Sequence, residues 1–323
     1  MTNNVDLLGI SNAIVDILAH VDDAFLEDIG APLGSMTLID QDRAKEIYGM
    51  MGPATEMSGG SVANTVAGFA NLGGDAAYIG RVRDDQLGEI FVHDMRSLGV
   101  DIRTEPATAG SPTARCHVLI SDDGQRTMQT YLGACTELAV SDVTEATVGA
   151  PKIALLEGYV WDIPEGPALA KEAIKIVNAS GGAVAISLSD SFCVERHQAE
   201  FRDAIENGVG IVLADEDEMT ALFGVSEFDD VLAAIKDYDN LFAMTRSAKG
   251  SVIVHGDQHV EQAATTVEKV VDSTGAGDAY CAGFLYGLTR GESLQECARL
   301  GTVCATSVIQ QVGGRLEKGV LDA

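Results

Sequence analysis

Basic side chains are scarce in this sequence. Its 323 residues include 21 Lys and Arg against 49 Asp and Glu, which gives a formal net charge of −28 at pH 7. Nucleic acids and anionic membrane surfaces are bound by clustered Lys and Arg, so this charge balance argues against both as partners. Because 46% of the residues are hydrophobic, the chain can still bury a full core, and the acidity indicates a solvated surface rather than disorder.

Long apolar runs and paired cysteines are also missing. The longest nearly uninterrupted apolar stretch, 279–288, is too short to cross a bilayer, which needs ~20 residues. Apart from His20, no basic residue precedes Arg43, so a secretory signal would lack its charged first region. Six scattered cysteines without a CxxC pair suit neither a zinc site nor a disulfide framework. We therefore expect a soluble, cytoplasmic protein with reduced, mostly buried thiols.

Short runs rich in Val, Ile and Leu alternate with segments of helical spacing. In one such segment Leu87, Phe91 and Met95 share a helical face. Strands that are apolar on both faces and alternate with helices are typical of a parallel sheet covered on both sides. The sequence therefore predicts the α/β class with a doubly wound, mostly parallel sheet. The predicted strands are 5–10, 76–79, 153–156, 183–188, 209–214, 241–245 and 251–254.

Two segments, 14–40 and 106–132, break this alternation with a pattern closer to period two. The second contains the predicted turn Asp122-Asp123-Gly124. Half-buried antiparallel strands do not belong inside a doubly wound sheet, so we interpret both segments as a small, discontinuous β lid over it. The alternative is that they form edge hairpins of the main sheet without a lid role. The domain prediction assigns 13–58 and 106–135 to the lid, and 1–12, 59–105 and 136–323 to a large nucleotide- and substrate-binding core.

The most informative stretch is Val-Val-Asp-Ser-Thr-Gly-Ala-Gly-Asp-Ala-Tyr, residues 270–280. A strand-like pair, Val270 and Val271, runs into a glycine-rich turn that opens an apolar helix, and the free N–H groups of a helix start form an anion site. Asp278 puts a carboxylate in this cradle, where it could take a proton from a hydroxyl that attacks a phosphate. The alternative is a plain helix cap. The stretch lacks the dinucleotide fingerprint GxGxxG, and the chain has no P-loop.

Polar residues that could bind a hydroxylated ligand occur at two further places. Gly59 and Gly60 would let a small ligand lie against the backbone, and Asn64, about one helical turn later, offers a donor and an acceptor. Asn12 and Asp16 follow the first strand, at the carboxyl end where open α/β sheets bind ligands. Each signal alone is weak, because Asn and Asp are common in turns. Together they predict a site for a polyhydroxylated ring.

Taken together, these residues resemble the motif set of the ribokinase-like (PfkB) carbohydrate and nucleoside kinases. The resemblance spans essentially the whole chain, and its most specific part is the run from Asp272 to Asp278, which matches DxTGAGD. It implies a doubly wound α/β core with a small β lid, Mg-ATP as the phosphoryl donor, and transfer to a hydroxymethyl group of a sugar-like acceptor. In the implied mechanism Asp278 is the general base. The implied anion hole consists of the N–H groups of Ala276, Gly277 and Asp278, and Gly275 is a further implied residue of this catalytic turn.

The resemblance also suggests an acceptor. Asn12 and Asp16 are spaced as N-x-x-x-D, which is closer to adenosine kinases than to ribokinases, and Asp16 would then hold ribose hydroxyls. The other implied substrate-binding residues are Gly59, Gly60, Asn64 and Tyr159. Tyr159 and Trp161 could supply a face for a purine, or could simply pack in the core. Adenosine is the first choice of acceptor, and a sugar kinase for ribose, fructose or 2-keto-3-deoxygluconate is the alternative.

The resemblance places the metal and nucleotide groups as well. Asp215 and Glu218 match the motif that organises Mg²⁺, with Asp215 where the family usually has Asn; the alternative is an acidic helix start. The implied nucleotide-side residues are Thr245, Arg246, Gly250, Asp272 and Thr274. Arg246 could offset triphosphate charge, and Arg126 in the lid could reach the phosphates on closure. K⁺ is a further candidate cofactor, and the resemblance would place it near Asp272 and Thr274.

Two other classes of function stay open. A nucleotide-dependent oxidoreductase would share the α/β sheet but needs a glycine fingerprint and an acidic ribose-binding residue. A catalytically silent ligand-binding protein of kinase ancestry would keep the ribose-binding groups but usually lose the base, whereas Asp278 is present. The sequence leaves open whether the chain is a monomer or a homodimer.

Overall fold

Two β-sheets organise the chain in a computed structural model, which describes residues 4–121 and 124–322. The strands in chain order are β1 (Leu7–Ile10), β2 (Ile14–His20), β3 (Met36–Leu38), β4 (Thr55–Gly59), β5 (Ala76–Ile79), β6 (Asp101–Ile102), β7 (Ala114–Ile120), β8 (Arg126–Tyr131), β9 (Ile153–Glu157), β10 (Ala183–Ser187), β11 (Ile211–Asp215), β12 (Leu241–Thr245), β13 (Ser251–His255) and β14 (Gln258–Gln262). The α-helices are α1 (Asp23–Asp28), α2 (Gln41–Met50), α3 (Ser61–Asn71), α4 (Gln86–Ser97), α5 (Glu145–Val148), α6 (Gly166–Ser180), α7 (Ser191–Glu206), α8 (Glu216–Phe223), α9 (Phe228–Ala234), α10 (Ala276–Thr289) and α11 (Leu294–Val308).

The larger sheet has nine strands in the order β14-β13-β12-β11-β10-β9-β1-β5-β6. Neighbours are parallel from β6 to β12, and only the last two pairings, β12 with β13 and β13 with β14, are antiparallel. β1 lies in the interior, where Leu8 is the register partner of both Ala77 and Ala154. The predicted α/β class with a doubly wound, mostly parallel sheet is confirmed.

Helices cover both faces of this sheet, which explains why its strands are apolar on both sides. Leu7 and Leu8 of β1 are fully buried in two different clusters, one under α3, α4, α10 and α11 and the other under α6 to α9. Burying a side chain of this size contributes about 1.5–3 kcal/mol relative to exposure, so a polar residue at either position would weaken one of the two layers. The crevice at the carboxyl ends of these strands is where the polar residues gather.

Helix α10 contains the apolar stretch 279–288 and lies inside the protein, between the sheet, α3 and α11. Gly283 and Gly287 let α11 approach it closely. A Cβ atom at Gly283 would come within 2.5 Å of the Leu300 carbonyl oxygen. The run is therefore the buried helix that follows the glycine-rich turn. In the described part of the chain, no helix is long and apolar enough to cross a membrane.

The second sheet has five strands in the order β3-β8-β7-β2-β4 and is built from the two segments that break the alternation. It does not extend the large sheet, so the arrangement as edge hairpins is wrong. The predicted lid range 13–58 also contains α1 and α2, because Asp22 and Asp40 cap helices, and α1 lies where the period-two pattern had predicted strand. Of the predicted turn, Asp122 and Asp123 lie outside the described residues.

The strand-like pair Val270 and Val271 is not a strand. Both side chains are exposed, by 53% and 38%, and the backbone is irregular from the end of β14 to the start of α10. The Val271 N–H donates to the Ile309 carbonyl at the end of α11 instead of to a neighbouring strand. The chain reaches the glycine-rich turn along the end of α11. All six cysteines are free and buried, as expected.

Asp85 joins the core to the second lid segment, and this contact generates a stability prediction. Its carboxylate caps α4 by accepting from the Gly88 N–H at 2.9 Å, and it also accepts from the N–H and hydroxyl of Thr113 at 2.9 and 2.6 Å. We expect Asp85→Ala to lower the free energy of unfolding by about 1–3 kcal/mol, because one cap and two further bonds are lost. Chemical denaturation measures it, with exposed Asp84→Ala as the matched control. Equal stability of the two variants would contradict the assignment.

Candidate active site

The glycine-rich turn leads into the first turn of α10. Gly275 has φ of +72°, which favours glycine, and a Cβ atom there would lie 2.5 Å from the Gly314 Cα. The Ala276 N–H is already used, because it donates to the Ser273 carbonyl at 3.2 Å. The described hydrogen bonds leave the N–H groups of Gly277 and Asp278 free at the helix start. Of the three predicted donors, the Ala276 N–H therefore shapes the turn, and the N–H groups of Gly277 and Asp278 can bind an anion.

Asp278 is held by side chains from the start of α3. Its Oδ1 accepts from the Ser61 hydroxyl at 2.7 Å, and its Oδ2 accepts from the Asn64 amide at 3.2 Å. Burial raises the pKa of Asp278 to about 6, although these two bonds and the charge of Arg315 oppose the rise. A carboxylate with this pKa is ionised at neutral pH and is still basic enough to accept a proton from a reacting group.

The residues predicted to bind hydroxyl groups lie beside Asp278. A Cβ atom at Gly59 would overlap the Asp16 carboxylate, at 2.3 Å, and one at Gly60 would lie 2.7 Å from the Asn12 carbonyl oxygen. Burial raises the pKa of Asp16 to about 6, and the charge of Asp278 contributes to the rise. Asn12 is 3% exposed, and its Oδ1 has no hydrogen-bond partner among the described residues. An unpartnered buried acceptor suits a ligand hydroxyl, because leaving it unsatisfied costs about 1–3 kcal/mol.

A large cleft of about 760 Å³ is lined in part by Asp278. The predicted residues that line it are Asp215, Glu218, Thr245, Gly250, Gly275, Ala276, Gly277 and Asp278. Its far wall is formed by residues 264–267 together with Thr306 and Ile309. Asp278 and Ser61 both line this cleft, and both also contact the crevice of Asn12 and Asp16 through Asn64 and the glycine pair. Two ligands could therefore meet at one carboxylate.

Asp215 and Glu218 form a reciprocal cap at the start of α8. The Asp215 Oδ1 accepts from the Glu218 N–H at 2.8 Å, and the Glu218 Oε2 accepts from the Asp215 N–H at 2.9 Å. Burial raises the pKa of both, that of Glu218 to about 8. One oxygen of each carboxylate stays free of these bonds and both residues line the cleft, which fits Mg²⁺, a cation that keeps several waters and needs one or two carboxylates. No cluster of three or more ligating side chains occurs among the described residues.

Arg246 does not face the cleft. Its guanidinium is paired with the Glu216 carboxylate at 3.0 and 3.1 Å and lies 3.9 Å from the centre of the Phe228 ring. Lys249 contacts the same carboxylate at 3.3 Å. Because Glu216 already pairs with both cations, this structure does not support the prediction that Arg246 offsets triphosphate charge. The neighbouring Thr245 and Gly250 do line the cleft.

The two aromatic residues proposed as a purine face belong to the hydrophobic core. Trp161 is 4% exposed and packs on Phe201, with the ring centres 5.0 Å apart. Tyr159 packs against the same core, and its hydroxyl donates to Asp190 at 2.5 Å. Neither residue lines the cleft in the described part of the chain. The geometry corresponds to core packing, because the strand end turns both rings under α7 rather than toward the crevice.

The Asp272 carboxylate binds groups next to the anion cradle. Its Oδ1 accepts from the Thr274 N–H at 3.0 Å, and its Oδ2 accepts from the Gly313 N–H at 2.9 Å and contacts the Arg126 guanidinium at 2.5 Å. Asp272 and Thr274 therefore shape the turn and do not line the cleft. Because the Asp272 carboxylate is bound to Arg126, it is not free for an alkali ion in this structure, and K⁺ stays a prediction. Arg126 of the small sheet is bound to Asp272 and is not directed at the cleft.

Three functional residues were missed in the sequence. Ser61 directly follows Gly59 and Gly60 in the sequence, but only the structure shows its bond to Asp278. Glu157, 1% exposed, accepts from the Asn12 N–H at 2.7 Å, and burial raises its pKa to about 8. Arg315 follows Gly313 and Gly314 in the last segment of the chain and is buried below the crevice. The sequence contained two signals: Glu157 ends an otherwise apolar strand, and Arg315 is an isolated Arg after two glycines.

Comparisons with known proteins agree with this geometry. The family model described as pfkB family carbohydrate kinase matches residues 33–318. The crystal structure of adenosine kinase from Sinorhizobium meliloti is 48% identical, with a TM-score of 0.90, and the match covers 98% of each chain. A probable sugar kinase from Rhizobium etli CFN 42 is 44% identical, with a TM-score of 0.91, covering 100% of this chain and 98% of that one. Adenosine kinase 1 from Arabidopsis thaliana is 27% identical over 95% of this chain and 94% of its own.

The raised pKa of Asp278 predicts an effect on stability. The folded protein binds a proton here below about pH 6, whereas the unfolded chain does so near 3.8, so ionisation of Asp278 costs stability above that window. We expect Asp278→Asn to increase the free energy of unfolding at pH 8 by about 1–2 kcal/mol, and this gain to shrink between pH 6 and pH 4. Denaturation at several pH values measures it, with exposed Asp237→Asn as control. A gain that does not depend on pH would contradict it.

Proposed function

The chain belongs to the pfkB family of carbohydrate kinases, and from this premise we propose that it transfers the γ-phosphoryl group of ATP to the 5′-hydroxyl of a ribonucleoside, with adenosine as the first candidate. Family membership makes the protein a phosphotransferase with an alcohol group as acceptor, related both to adenosine kinases and to sugar kinases. Kinases of this family generally use ATP and Mg²⁺. The proposal therefore concerns the acceptor and the roles of individual residues.

The observation that carries the proposal is the position of Asp278, which lines the 760 Å³ cleft and is bonded to Ser61 and Asn64 at the start of α3. In the proposed reaction its carboxylate accepts the proton of the acceptor hydroxyl. The acceptor oxygen forms a bond to the γ-phosphorus while the bond from that phosphorus to the β–γ bridging oxygen breaks, and ADP leaves. Ser61 and Asn64 hold the base at 2.7 and 3.2 Å, which fixes the carboxylate for a proton transfer that contributes typically 10²–10⁴ in rate.

Charge on the transferred group is proposed to meet the N–H groups of Gly277 and Asp278 at the start of α10. Mg²⁺, when bound near Asp215 and Glu218, would neutralise phosphate charge, which a chain of net charge −28 cannot do with surface cations. We propose that the five-stranded sheet acts as the lid, because Arg126 binds it to Asp272 behind the cradle. A lid over the crevice would exclude water, which otherwise competes with the acceptor for ATP.

The small sheet also supports a nucleoside over a free sugar. Asp16 and Cys116 are register partners, so Ile14 and Leu18 share the face that carries Asp16. The apolar cluster on that face consists of Ile14, Leu18, Cys116, Val118, Ile120 and Met128. Asp16 on this face interacts with Asp278, whereas Val15 and Ile17 of the opposite face are buried with the core. A base attached to a ribose held by Asp16 could pack on this apolar surface, whereas a free sugar would leave it uncovered.

A pfkB-type sugar kinase is the second candidate, because a probable sugar kinase from Rhizobium etli matches as well as the adenosine kinase from Sinorhizobium meliloti. The acceptor would then be ribose, fructose or 2-keto-3-deoxygluconate. For the compartment we propose the cytoplasm, which supplies ATP and keeps the six free cysteines reduced. Whether the enzyme works as a monomer or a homodimer stays a prediction.

An acceptor screen tests the proposed function. With Mg-ATP, we expect ADP release to be fastest with adenosine, when compared with inosine, ribose, fructose and 2-keto-3-deoxygluconate. Asp278→Asn should keep nucleotide binding and lose roughly 10²–10⁴ in turnover, because the base is removed while the cradle remains. No signal with either nucleoside but turnover of a free sugar would contradict the choice of acceptor. Near-normal turnover by the Asn variant would contradict the role of Asp278.

The apolar lid face generates a separate prediction. We expect Leu18→Ala to lower kcat/KM for the nucleoside about tenfold, because a hydrophobic contact with the base is lost, and to leave the KM for ATP unchanged. Steady-state kinetics with each substrate varied in turn measures both. Leu38→Ala, on the edge strand β3 and 59% exposed, is the matched control. A changed KM for ATP with an unchanged kcat/KM for the nucleoside would show that this face does not receive the acceptor.

A further inference from the structure

A single arginine from the end of the chain lies beneath the acceptor crevice. Arg315 follows α11 and the pair Gly313 and Gly314, and its side chain is only 14% exposed. It donates to the Ser58 carbonyl, to the Ser58 hydroxyl at 2.6 Å and, more weakly, to the Ala63 carbonyl at 3.4 Å. A buried arginine is costly unless its donors and its charge are matched, so this position demands an explanation.

The contacts of Arg315 converge on the loop that carries the acceptor-binding groups. Ser58 is the residue before Gly59, and Ala63 lies in the first turn of α3 next to Asn64. The hydroxyl of Ser58 also donates to Asp94 of α4, and the Ser58 N–H donates to the same carboxylate oxygen at 2.9 Å. Arg315 and Asp94 therefore hold the loop from two sides.

The loop in turn positions the base, because Ser61 and Asn64 both bind Asp278. The tail is fixed at the cradle too, since the Gly313 N–H donates to Asp272 and Gly314 packs against Gly275. One short segment thus contacts the acceptor loop and the anion cradle together.

The charges around Arg315 come from several elements. Asp94 of α4, with Oδ2 4.0 Å from the guanidinium, Asp16 of β2 and Asp278 of α10 are the acidic groups that interact with it, together with the hydroxyl of Tyr78 of β5. Arg126 of β8 acts on Asp16 as well, and Asp278 in turn acts on Glu157 of β9. Arg315 is the cation whose charge favours the ionised forms of both Asp16 and Asp278.

We propose that Arg315 is a positioning residue for phosphoryl transfer: its guanidinium fixes Ser58 and the start of α3, from which Ser61 and Asn64 hold the base Asp278. The inference rests on the proposed function, because it assigns to Arg315 a role in the reaction of Asp278. It goes beyond that function by making the terminal segment part of the active site. A residue needed only for folding would not alter the ionisation of the base.

The pH dependence of kcat/KM separates the two roles, because its acidic limb reports the ionisation of the free enzyme. In the wild type we expect the limb near pH 6, where Asp278 and Asp16 titrate. Arg315→Gln should move it upward by about 1 pH unit, because the charge that opposes protonation is lost. Arg315→Lys keeps the charge and should keep the limb near its wild-type position while kcat falls through the lost hydrogen bonds. Arg299→Gln, at a surface pair with Glu296, is the control.

Asp94→Asn serves as a second variant if Arg315→Gln does not fold. It removes a countercharge from Arg315, so more of the arginine's charge acts on Asp278 and the limb should move downward. Thermal denaturation establishes which variants fold. A folded Arg315→Gln enzyme with the wild-type limb, or a folded Asp94→Asn enzyme with an unmoved limb, would overturn the role of Arg315. A wild type without ATP-dependent phosphorylation would instead overturn the proposed function.

Discussion

The contact of two helix starts at one carboxylate is the constraint on which the rest of the site depends. Ser61 and Asn64, in the first turn of α3, bind the two oxygens of Asp278, in the first turn of α10. This contact joins the strand-end crevice of Asn12 and Asp16 to the 760 Å³ cleft. Without this contact no single carboxylate would adjoin both sites. The groups that can bind an alcohol and those that can bind a polyphosphate would then share no reactive group.

An acidic protein that binds a polyphosphate has few basic side chains with which to neutralise the phosphate charge. In this structure three arginines contact other groups of the protein instead. Arg126 is bound to Asp272 behind the cradle, Arg315 lies under the acceptor loop, and Arg246 is neutralised by Glu216. None of these guanidinium groups lines the described cleft. Backbone N–H groups and a divalent cation are therefore the proposed source of phosphate stabilisation, which agrees with the two carboxylates at the start of α8.

The fold was largely predictable because burial on both faces leaves a strong local signal. The predicted strands 76–79 and 241–245 coincide with β5 and β12, and the others differ from the observed strands by one or two residues at their ends. The glycine-rich turn and Asp278 were equally visible, since φ of +72° at Gly275 requires glycine. These features depend on residues that are adjacent in the sequence.

What the sequence could not provide depends on contacts between distant segments. The valines at 270 and 271 have strand propensity, but both are exposed and the Val271 N–H donates to the end of α11 instead of to a strand. The rings of Tyr159 and Trp161 could have turned either way at the end of β9, and tertiary packing placed them in the core. Arg315 lies 257 residues from Ser58 in the chain, and no local pattern links them.

The structure of a complex with adenosine and a non-hydrolysable ATP analogue tests the central claim most directly. The account predicts the 5′-hydroxyl within about 2.6–3.2 Å of the Asp278 carboxylate and the γ-phosphate at the N–H groups of Gly277 and Asp278; an acceptor hydroxyl bound away from Asp278, with the phosphates outside the start of α10, would contradict it.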